Sequence, residues 1–448
     1  METDMTKGNI FPIILKFTLP LFIGNICQML YNMADTIIVG RFVGQKPLAA
    51  VGATGTIMFL VLGLANGLAS GFTVLSSQCY GSGDMKRLKH SVSNGIMLSA
   101  IVVVVMTLAS MLPMKGILEL MNTPEDIFDY SYTYIMIICA GTVASVYNNL
   151  FASYLRAVGN SKMPLVFLVV SAVLNVALDL ILIICFNMGV AGAALATVIS
   201  QAVSALLSLL YIYKKEKILV PEKGDWHFTE ADTKHQLRIG IPMALQFGIT
   251  ASGTMIMQAA INKFGSVAIS GFTAASKINN LVTQGQPAMG TAIATFGGQN
   301  YGGGGYKRIE KGVRTINIMN IVYSIIGGII AVTCMRPVMP LFFKAGTDIE
   351  AMIPWAKPYI IMSAICYIPL GMIFIFRNVM QGCGYGLLPM LGGVVELFAR
   401  LAMAFVSFAT GKYVFAAACD PFAWLTAGIF TAVAYLFVMR DIRKHIPA

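Results

Sequence analysis

The chain repeats itself: Ser76–Val92 reads SSQCYGSGDMKRLKHSV, and Gly297–Val313 reads GGQNYGGGGYKRIEKGV. Each copy closes a long apolar segment and opens a basic one. Two further motifs recur, TLP at Thr18–Pro20 with GIP at Gly240–Pro242, and LRAVGNSKMP at Leu155–Pro164 with MQGCGYGLLP at Met380–Pro389. The copies lie 221 to 225 residues apart, so the repeated unit is half of the chain. Parallel repeats of this kind build many secondary transporters, with the substrate site between two lobes.

The composition is that of a membrane protein. Of 448 residues, 57% are hydrophobic and 11% are charged, and the mean hydropathy is +0.75. A bilayer-spanning helix needs about 20 mostly apolar residues, because unpaired backbone groups are costly in hydrocarbon. Windows of that length predict twelve spans, near residues 12–40, 50–78, 92–113, 130–156, 163–186, 189–213, 238–262, 267–299, 314–336, 354–382, 387–410 and 415–439. The predicted fold class is an all-α polytopic membrane protein, with twelve transmembrane helices in two pseudo-symmetric six-helix bundles.

Basic residues concentrate on one side of this topology. With the N-terminus inside, the basic turns at Lys86–Lys89 and Lys307–Arg314 and the polar run 214–237 all face the cytoplasm. The positive-inside rule then predicts a multi-pass protein of the cell membrane with both termini in the cytoplasm. The run 214–237 is interpreted as a linker between an N-terminal lobe, 1–213, and a C-terminal lobe, 238–448. The net charge of +11 therefore follows the membrane and does not indicate a nucleic-acid partner.

Polar side chains inside the predicted spans are the strongest functional signal, because such groups usually face a cavity or one another. The first span carries Gln28, Asn32 and Asp35 on one helix face. The fifth carries Asn175 and Asp179 at i, i+4, and the sixth carries Thr197 and Gln201 with the same spacing.

Asp35 and Asp179, with an amide and a hydroxyl, are suited to bind a proton or a small hard cation. A low-dielectric cavity favours the protonated form of a carboxyl group, and oxygen ligands also suit Na⁺. The set therefore predicts either H⁺ or Na⁺ coupling. The alternative is structural: Asp35 reaches interfacial water, while Asn175 and Asp179 form hydrogen bonds between helices.

The second half carries different charges. Glu396 and Arg400, at i, i+4, are interpreted as a structural ion pair on one helix face. Lys277 has no partner nearby in sequence, and two interpretations stay open, pairing with Glu396 or gating access to a cavity. Pro20 lies inside the first span, where its missing N–H permits a kink; a functional bend and a static one are both open.

Taken together, these residues resemble the multidrug and toxic compound extrusion (MATE) family of secondary transporters over essentially the whole chain. Singly the motifs are weak, but their order and spacing over twelve spans make the match specific. The motifs that carry it are the first helix with Pro20, Gln28 and Asp35, the turns QCYGSGDMKR and QNYGGGGYKR, LRAVGNSKMP with MQGCGYGLLP, the Asn175/Asp179 helix, and GAALATVISQ.

The resemblance implies two six-helix bundles that export organic, often cationic, compounds while H⁺ or Na⁺ enters. It also implies a cation site at Asp35, Asn175, Asp179 and Thr197, with Gln28 and Asn148 lining an adjacent drug cavity. We add Asn32 and Gln201 to the predicted cavity because they lie on the polar faces of the first and sixth spans, and Met58 because flexible thioethers suit ligands of varied shape. The chain departs from the branch with acidic residues in the seventh and tenth helices, since Gln258 and Gln381 lie there.

Two rival classes are weighed against this prediction. A flippase for lipid or lipid-linked oligosaccharide shares the superfamily, but needs a strongly cationic cavity, for which Lys277, Arg377 and Arg400 are the candidates. A membrane enzyme would need a nucleophile or metal motif such as GxSxG or HExxH, and the sequence has neither. We therefore predict a transporter that is not an enzyme, works as a monomer among membrane lipid, and binds no cofactor or metal beyond Na⁺.

Overall fold

A computed structural model describes residues 4–121, 123–343 and 347–445. The elements are helical throughout these ranges, which contain no strand, so the predicted all-α fold class is confirmed. The helices are α1 (Ile10–Ile38), α2 (Gln45–Ser82), α3 (Met85–Met111), α4 (Met114–Leu120), α5 (Glu125–Ala140), α6 (Thr142–Ala157), α7 (Lys162–Leu180), α8 (Gly189–Lys215), α9 (Glu230–Asn262), α10 (Gly265–Thr283), α11 (Gly285–Gly302), α12 (Tyr306–Val338), α13 (Ile353–Ile365), α14 (Tyr367–Gly382), α15 (Leu387–Thr410), α16 (Tyr413–Ala417) and α17 (Cys419–His445).

The described helices account for the predicted spans in three ways. Nine of them are long and apolar enough to cross a membrane alone. The pairs α5–α6 and α13–α14 pass the same test only when joined, with bends of 45° and 51°. The predicted eighth span, 267–299, instead falls on two helices, α10 and α11, that meet at Gln284. Neither is apolar enough alone. Helix α10 carries Lys277 and two consecutive asparagines, and α11 carries two glutamines and Asn300.

The repeated motif is a helix-breaking turn whose sequence explains its shape. In the first copy α2 ends at Gly83, whose φ of +77° is left-handed and whose N–H caps carbonyls of Cys79 and Tyr80. Asp84 then caps α3 by accepting a hydrogen bond from the N–H of Arg87 at 3.0 Å. The aligned Gly304 has a φ of +74° just before α12. A glycine is favoured at both positions because left-handed backbone crowds any Cβ.

Contacts divide the chain into two compact units. The N-terminal unit contains Leu19–Gly248, and the C-terminal unit contains Thr6–Thr18 with the chain from Ile249 onward. In the N-terminal unit, α2 packs on α3, α5 and α6 around buried Leu88 and Tyr154. In the C-terminal unit, α11 packs on α14 and α15 on α17, and a separate core surrounds Tyr359 and Tyr367. The lobe boundaries interpreted from the repeat, 1–213 and 238–448, stay predictions.

The run 214–237 is folded against α3, which its polar composition did not indicate. Lys89 Nζ lies 2.6 Å from Glu222 Oε1, and Asn94 Nδ2 donates to Gln236 Oε1 at 2.7 Å. Asp232, with 8% of its side chain exposed, accepts from Arg87 Nη2 at 2.8 Å and lies 3.0 Å from His90 Nδ1. The segment is thus an ordered part of the N-terminal unit.

We expect Asp232→Ala to lower the stability of the N-terminal unit. The change removes charge-assisted hydrogen bonds to Arg87 and His90, a loss of about 2 kcal/mol. The measurement is the unfolding midpoint of the purified protein in detergent. Glu222→Gln is the control, because the Glu222 side chain is 74% exposed and its ion pair is worth little. An equal midpoint for the two variants would show that Asp232 does not hold this segment.

Candidate functional site

The predicted cation-site residues come together on α1, α7 and α8 of the N-terminal unit. Asn175 and Asp179 are fully buried on α7, and Thr197 on α8 is 6% exposed. The Asn175 amide donates a hydrogen bond to Thr197 Oγ1 at 3.5 Å. Thr197 Oγ1 in turn donates to the Ala193 carbonyl at 3.1 Å, which fixes the hydroxyl.

Asp35 and Asp179 face each other across this site. Their carboxyl groups are close enough for each to influence the ionisation of the other, and Asp35 itself is half-buried on α1. Two bare carboxylates repel at such a distance, so the pair must share a proton or hold a cation between them. Among the described residues, none donates to the buried Oδ1 of Asp35. The arrangement therefore has an oxygen available for a proton or a small cation.

Two residues that the sequence reasoning missed complete the site. The hydroxyl of Tyr31 lies close to the hydroxyl groups of Thr197 and Ser200. Tyr31 lies four residues before Asp35 on α1, and Ser200 lies three residues after Thr197 on α8, so helical spacing could have identified both. Tyrosine and serine are common in membrane helices, however, and the spacing alone does not distinguish them from packing residues.

Both carboxylate-bearing helices widen just after the acidic residue. Beyond Asp35, α1 continues as a π-helical turn at Val39–Val43, and beyond Asp179, α7 continues as another at Ile181–Cys185. The two turns contact each other. Such turns are rare overall but common at functional sites, because they re-aim the side chains beside them.

A polar cavity of about 210 Å³ lies in the same unit, and three predicted residues line it: Gln28, Asn148 and Pro20. Its further polar lining is Asn25, Asn149, Arg156, Ser161, Ser204 and Ser208. Arg156 is the one ionisable side chain among the described residues that line it, and its Nη2 donates to Ser153 Oγ at 2.7 Å. The cavity is therefore suited to ligands rich in hydrogen-bond acceptors.

The other predicted cavity residues lie elsewhere in the unit. Asn32 is exposed on α1 and accepts from Gln28 Nε2 at 3.3 Å, so it touches a lining residue without lining the cavity. Met58 is half-buried in apolar clusters that include Ile57 and Ile183. Gln201 is half-buried on α8, one residue beyond Ser200. Their roles in substrate binding stay predictions.

The charges of the C-terminal unit form a buried network. Glu396 lies 3.4 Å from Arg400, as their spacing predicts, and 3.8 Å from Arg377. Arg400 Nε also donates to Asp420 Oδ1 at 2.9 Å. Lys277 does not pair with Glu396, and that interpretation is wrong. Its ammonium group lies over the Phe342 ring, 5.5 Å from the centroid, while Glu396 pairs with Arg377 and Arg400.

The chain is similar in sequence to a known protein family and to several bacterial transport proteins. A family model described as MatE matches residues 20–181 and 242–406. The "Probable multidrug resistance protein YpnP" of Bacillus subtilis is 30% identical over 308 residues, 68% of each chain. The "FAD transporter" of Shewanella oneidensis is 22% identical over 408 residues, 90% of this chain and 88% of that protein.

A solved structure has the same fold. It is described as the "Outward-facing conformation of a multidrug resistance MATE family transporter of the MOP superfamily", and it matches with a TM-score of 0.90 over 98% of both chains. The sequences are 20% identical, so this likeness shows the fold alone.

Proposed function

The chain belongs to the MatE family, and from that premise we propose that it is a secondary active antiporter. It exports organic, often cationic, compounds in exchange for H⁺ or Na⁺ by alternating access, as a monomer in the cell membrane with both termini in the cytoplasm. The observation that carries this proposal is the contact between Asp35 and Asp179, beside the hydrogen-bonded Asn175 and Thr197.

The carboxyl pair supports coupling because its charge depends on what it binds. With one shared proton the pair carries one negative charge, and a second proton or a Na⁺ ion neutralises it. A cationic substrate near the pair is held while that charge is present and is released when the coupling ion replaces it. The pair cannot hold both cations well, and this competition is the requirement for exchange.

The gradient of the coupling ion drives such an exchange, and the membrane potential adds to it only when the substrate carries less positive charge than the ions that enter. Moving one elementary charge through 100 mV supplies about 2.3 kcal/mol, or roughly a fiftyfold concentration ratio. A single coupling ion per cycle therefore supports useful export of an uncharged substrate, whereas its exchange for a monovalent cation is electroneutral and depends on the concentration gradient of the ion alone.

Gradient-driven transport of ethidium tests the proposal. Purified protein in liposomes is given a pH gradient and then, separately, a Na⁺ gradient, with liposomes without protein as the control. We expect one gradient to accumulate ethidium and the matching ionophore to abolish the accumulation. Ethidium movement at the same rate with and without either gradient would contradict antiport.

A second candidate substrate class is favoured by the cavity at Gln28 and Asn148. Arg156 and the amides and hydroxyls around it suit carboxylate or phosphate groups better than ammonium groups. FAD, the compound in the name of the relative from Shewanella oneidensis, is an example of such a substrate. The test compares how strongly an anionic flavin nucleotide and a cationic dye inhibit ethidium transport. Stronger inhibition by the flavin nucleotide would favour anionic substrates, and stronger inhibition by the dye would favour cationic ones.

The flippase alternative finds less support in the C-terminal unit. Arg377 and Arg400, which a pyrophosphate would need, both lie beside Glu396, and Arg400 also contacts Asp420. Two acidic side chains thus offset two arginines, and the network is close to neutral.

A further inference from the structure

A second cavity lies in the C-terminal unit, where the start of α12 meets the first turn of α1. It is open and has a volume of about 570 Å³. Its lining is Gly8, Asn9, Ile10, Phe11, Lys307, Arg308, Lys311, Arg314 and Thr315. Four of these residues are basic, and none of the described residues that line it is acidic. The cavity therefore favours an anion.

Arg308 builds one wall of this basic cavity. Its Nη1 donates to the Gly8 carbonyl and its Nη2 to the Lys7 carbonyl, both at 2.8 Å. The guanidinium group also lies 5.6 Å from the centroid of the Phe296 ring. These contacts fix the segment that precedes α1, so the wall is ordered.

The other three basic side chains are available to a ligand. Lys307, Lys311 and Arg314 are exposed and lie on one face of α12 at i, i+4 and i+7. None of the three forms an ion pair within the part of the chain that the structure describes. The neighbouring carboxylate, Glu310, is instead paired with Arg443.

The first copy of the repeat shows what an occupied version of this face looks like. Arg87 and His90 align with Arg308 and Lys311, and both contact Asp232 of the run 214–237. The first copy thus supplies its own anionic partner from the chain. The second copy keeps the basic face, but no described carboxylate lines the cavity there.

Below the basic residues the same face of α12 becomes apolar. Ile318, Val322 and Ile325 are 56%, 52% and 52% exposed, and on α1 Phe11 and Leu15 are 50% and 43% exposed. In a membrane these side chains contact acyl chains, while basic side chains at the helix end reach the headgroups. The first turn of α1 adds the partial positive charge of a helix N-terminus.

We propose that this basic cavity binds the headgroup phosphate of an anionic phospholipid, whose acyl chains lie along the apolar face of α12. Lys307, Lys311 and Arg314 contact the phosphate, and Arg308 holds the wall beside it. The charge of the cavity and the apolar surface directly below it both match this occupant. This lipid site is independent of the proposed transport cycle.

Native mass spectrometry of the full chain in detergent tests the site, with phosphatidylglycerol, phosphatidylcholine or inorganic phosphate added. The wild type is expected to retain more phosphatidylglycerol than phosphatidylcholine. This difference should decrease as the salt concentration rises. The triple variant Lys307→Gln/Lys311→Gln/Arg314→Gln is expected to lose that preference, since each basic residue near a surface contributes about fivefold.

Lys214→Gln/Lys215→Gln/Lys217→Gln is the matched control, because it removes three exposed charges at another predicted cytoplasmic position. Equal loss of phosphatidylglycerol from the two triple variants would overturn the proposal. So would equal retention of both lipids by the wild type, or displacement of phosphatidylglycerol by an equal concentration of inorganic phosphate. The two measurements on the wild type, lipid preference and displacement by phosphate, test the proposal even if a variant fails to fold.

Discussion

We expect Asp179→Asn to abolish ion-driven ethidium transport while the protein still folds and reaches the membrane. Asparagine has nearly the same shape as aspartate, so the packing of this fully buried position on α7 changes little. An amide cannot take up a proton or carry a negative charge. The pair then loses the group through which the coupling ion and a cationic substrate compete.

The measurement is ethidium accumulation in liposomes under whichever gradient drives the wild type. Asp129→Asn is the matched control, because Asp129 is exposed on α5 and lies outside the site. Asp35→Asn is expected to behave like Asp179→Asn. Ethidium transport by Asp179→Asn at the wild-type rate would show that Asp179 takes no part in the mechanism.

The largest effect on stability is expected from Arg400→Met in the C-terminal unit. Arg400 is 4% exposed and contacts both Glu396 and Asp420, so its loss leaves two buried carboxylates with less compensation. Breaking a buried ion pair by removing one partner costs about 3–5 kcal/mol. The unfolding midpoint in detergent should fall accordingly.

Arg336→Met is the control for this change. Arg336 pairs with Glu350 at 2.7 Å, but both side chains are more than two-thirds exposed, at 69% and 68%. Such surface pairs contribute about 0–1 kcal/mol. The double variant Arg400→Met/Asp420→Asn should recover part of the loss, because it leaves Glu396 with Arg377. Equal midpoints for the Arg400 and Arg336 variants would show that the network is not structural.

The fold was predictable because its determinants are local in sequence. Twenty apolar residues form a spanning helix wherever they occur, and the repeat sets the number of helices in each half. The turn at Gly83 and Asp84 is equally local, since one residue ends α2 and the next caps α3. The break at Gln284 was missed because its backbone angles are close to helical, and the apolar window of 267–299 extends across it.

The sequence predicts which polar residues of the site share one helix face, but not which helix faces meet. Helical spacing aligns Asn175 with Asp179, but the contact between Asp179 and Asp35 depends on how α1 packs beside α7. The same reason explains the error at Lys277, whose partner is an aromatic ring, and the omission of Asp420 from the Arg400 network. Spacing within one helix carries no information about the neighbouring helix.

The central claim is that substrate and H⁺ or Na⁺ exchange through Asp35 and Asp179, and ion movement driven by substrate tests it most directly. Liposomes containing the protein are given an ethidium gradient and no ion gradient, with the membrane potential clamped. A trapped dye then reports internal pH, and a radioactive tracer reports Na⁺. We predict that one of the two ions moves opposite to ethidium in the wild type and that neither moves in Asp179→Asn. Ethidium transport by the wild type without movement of either ion would contradict the claim.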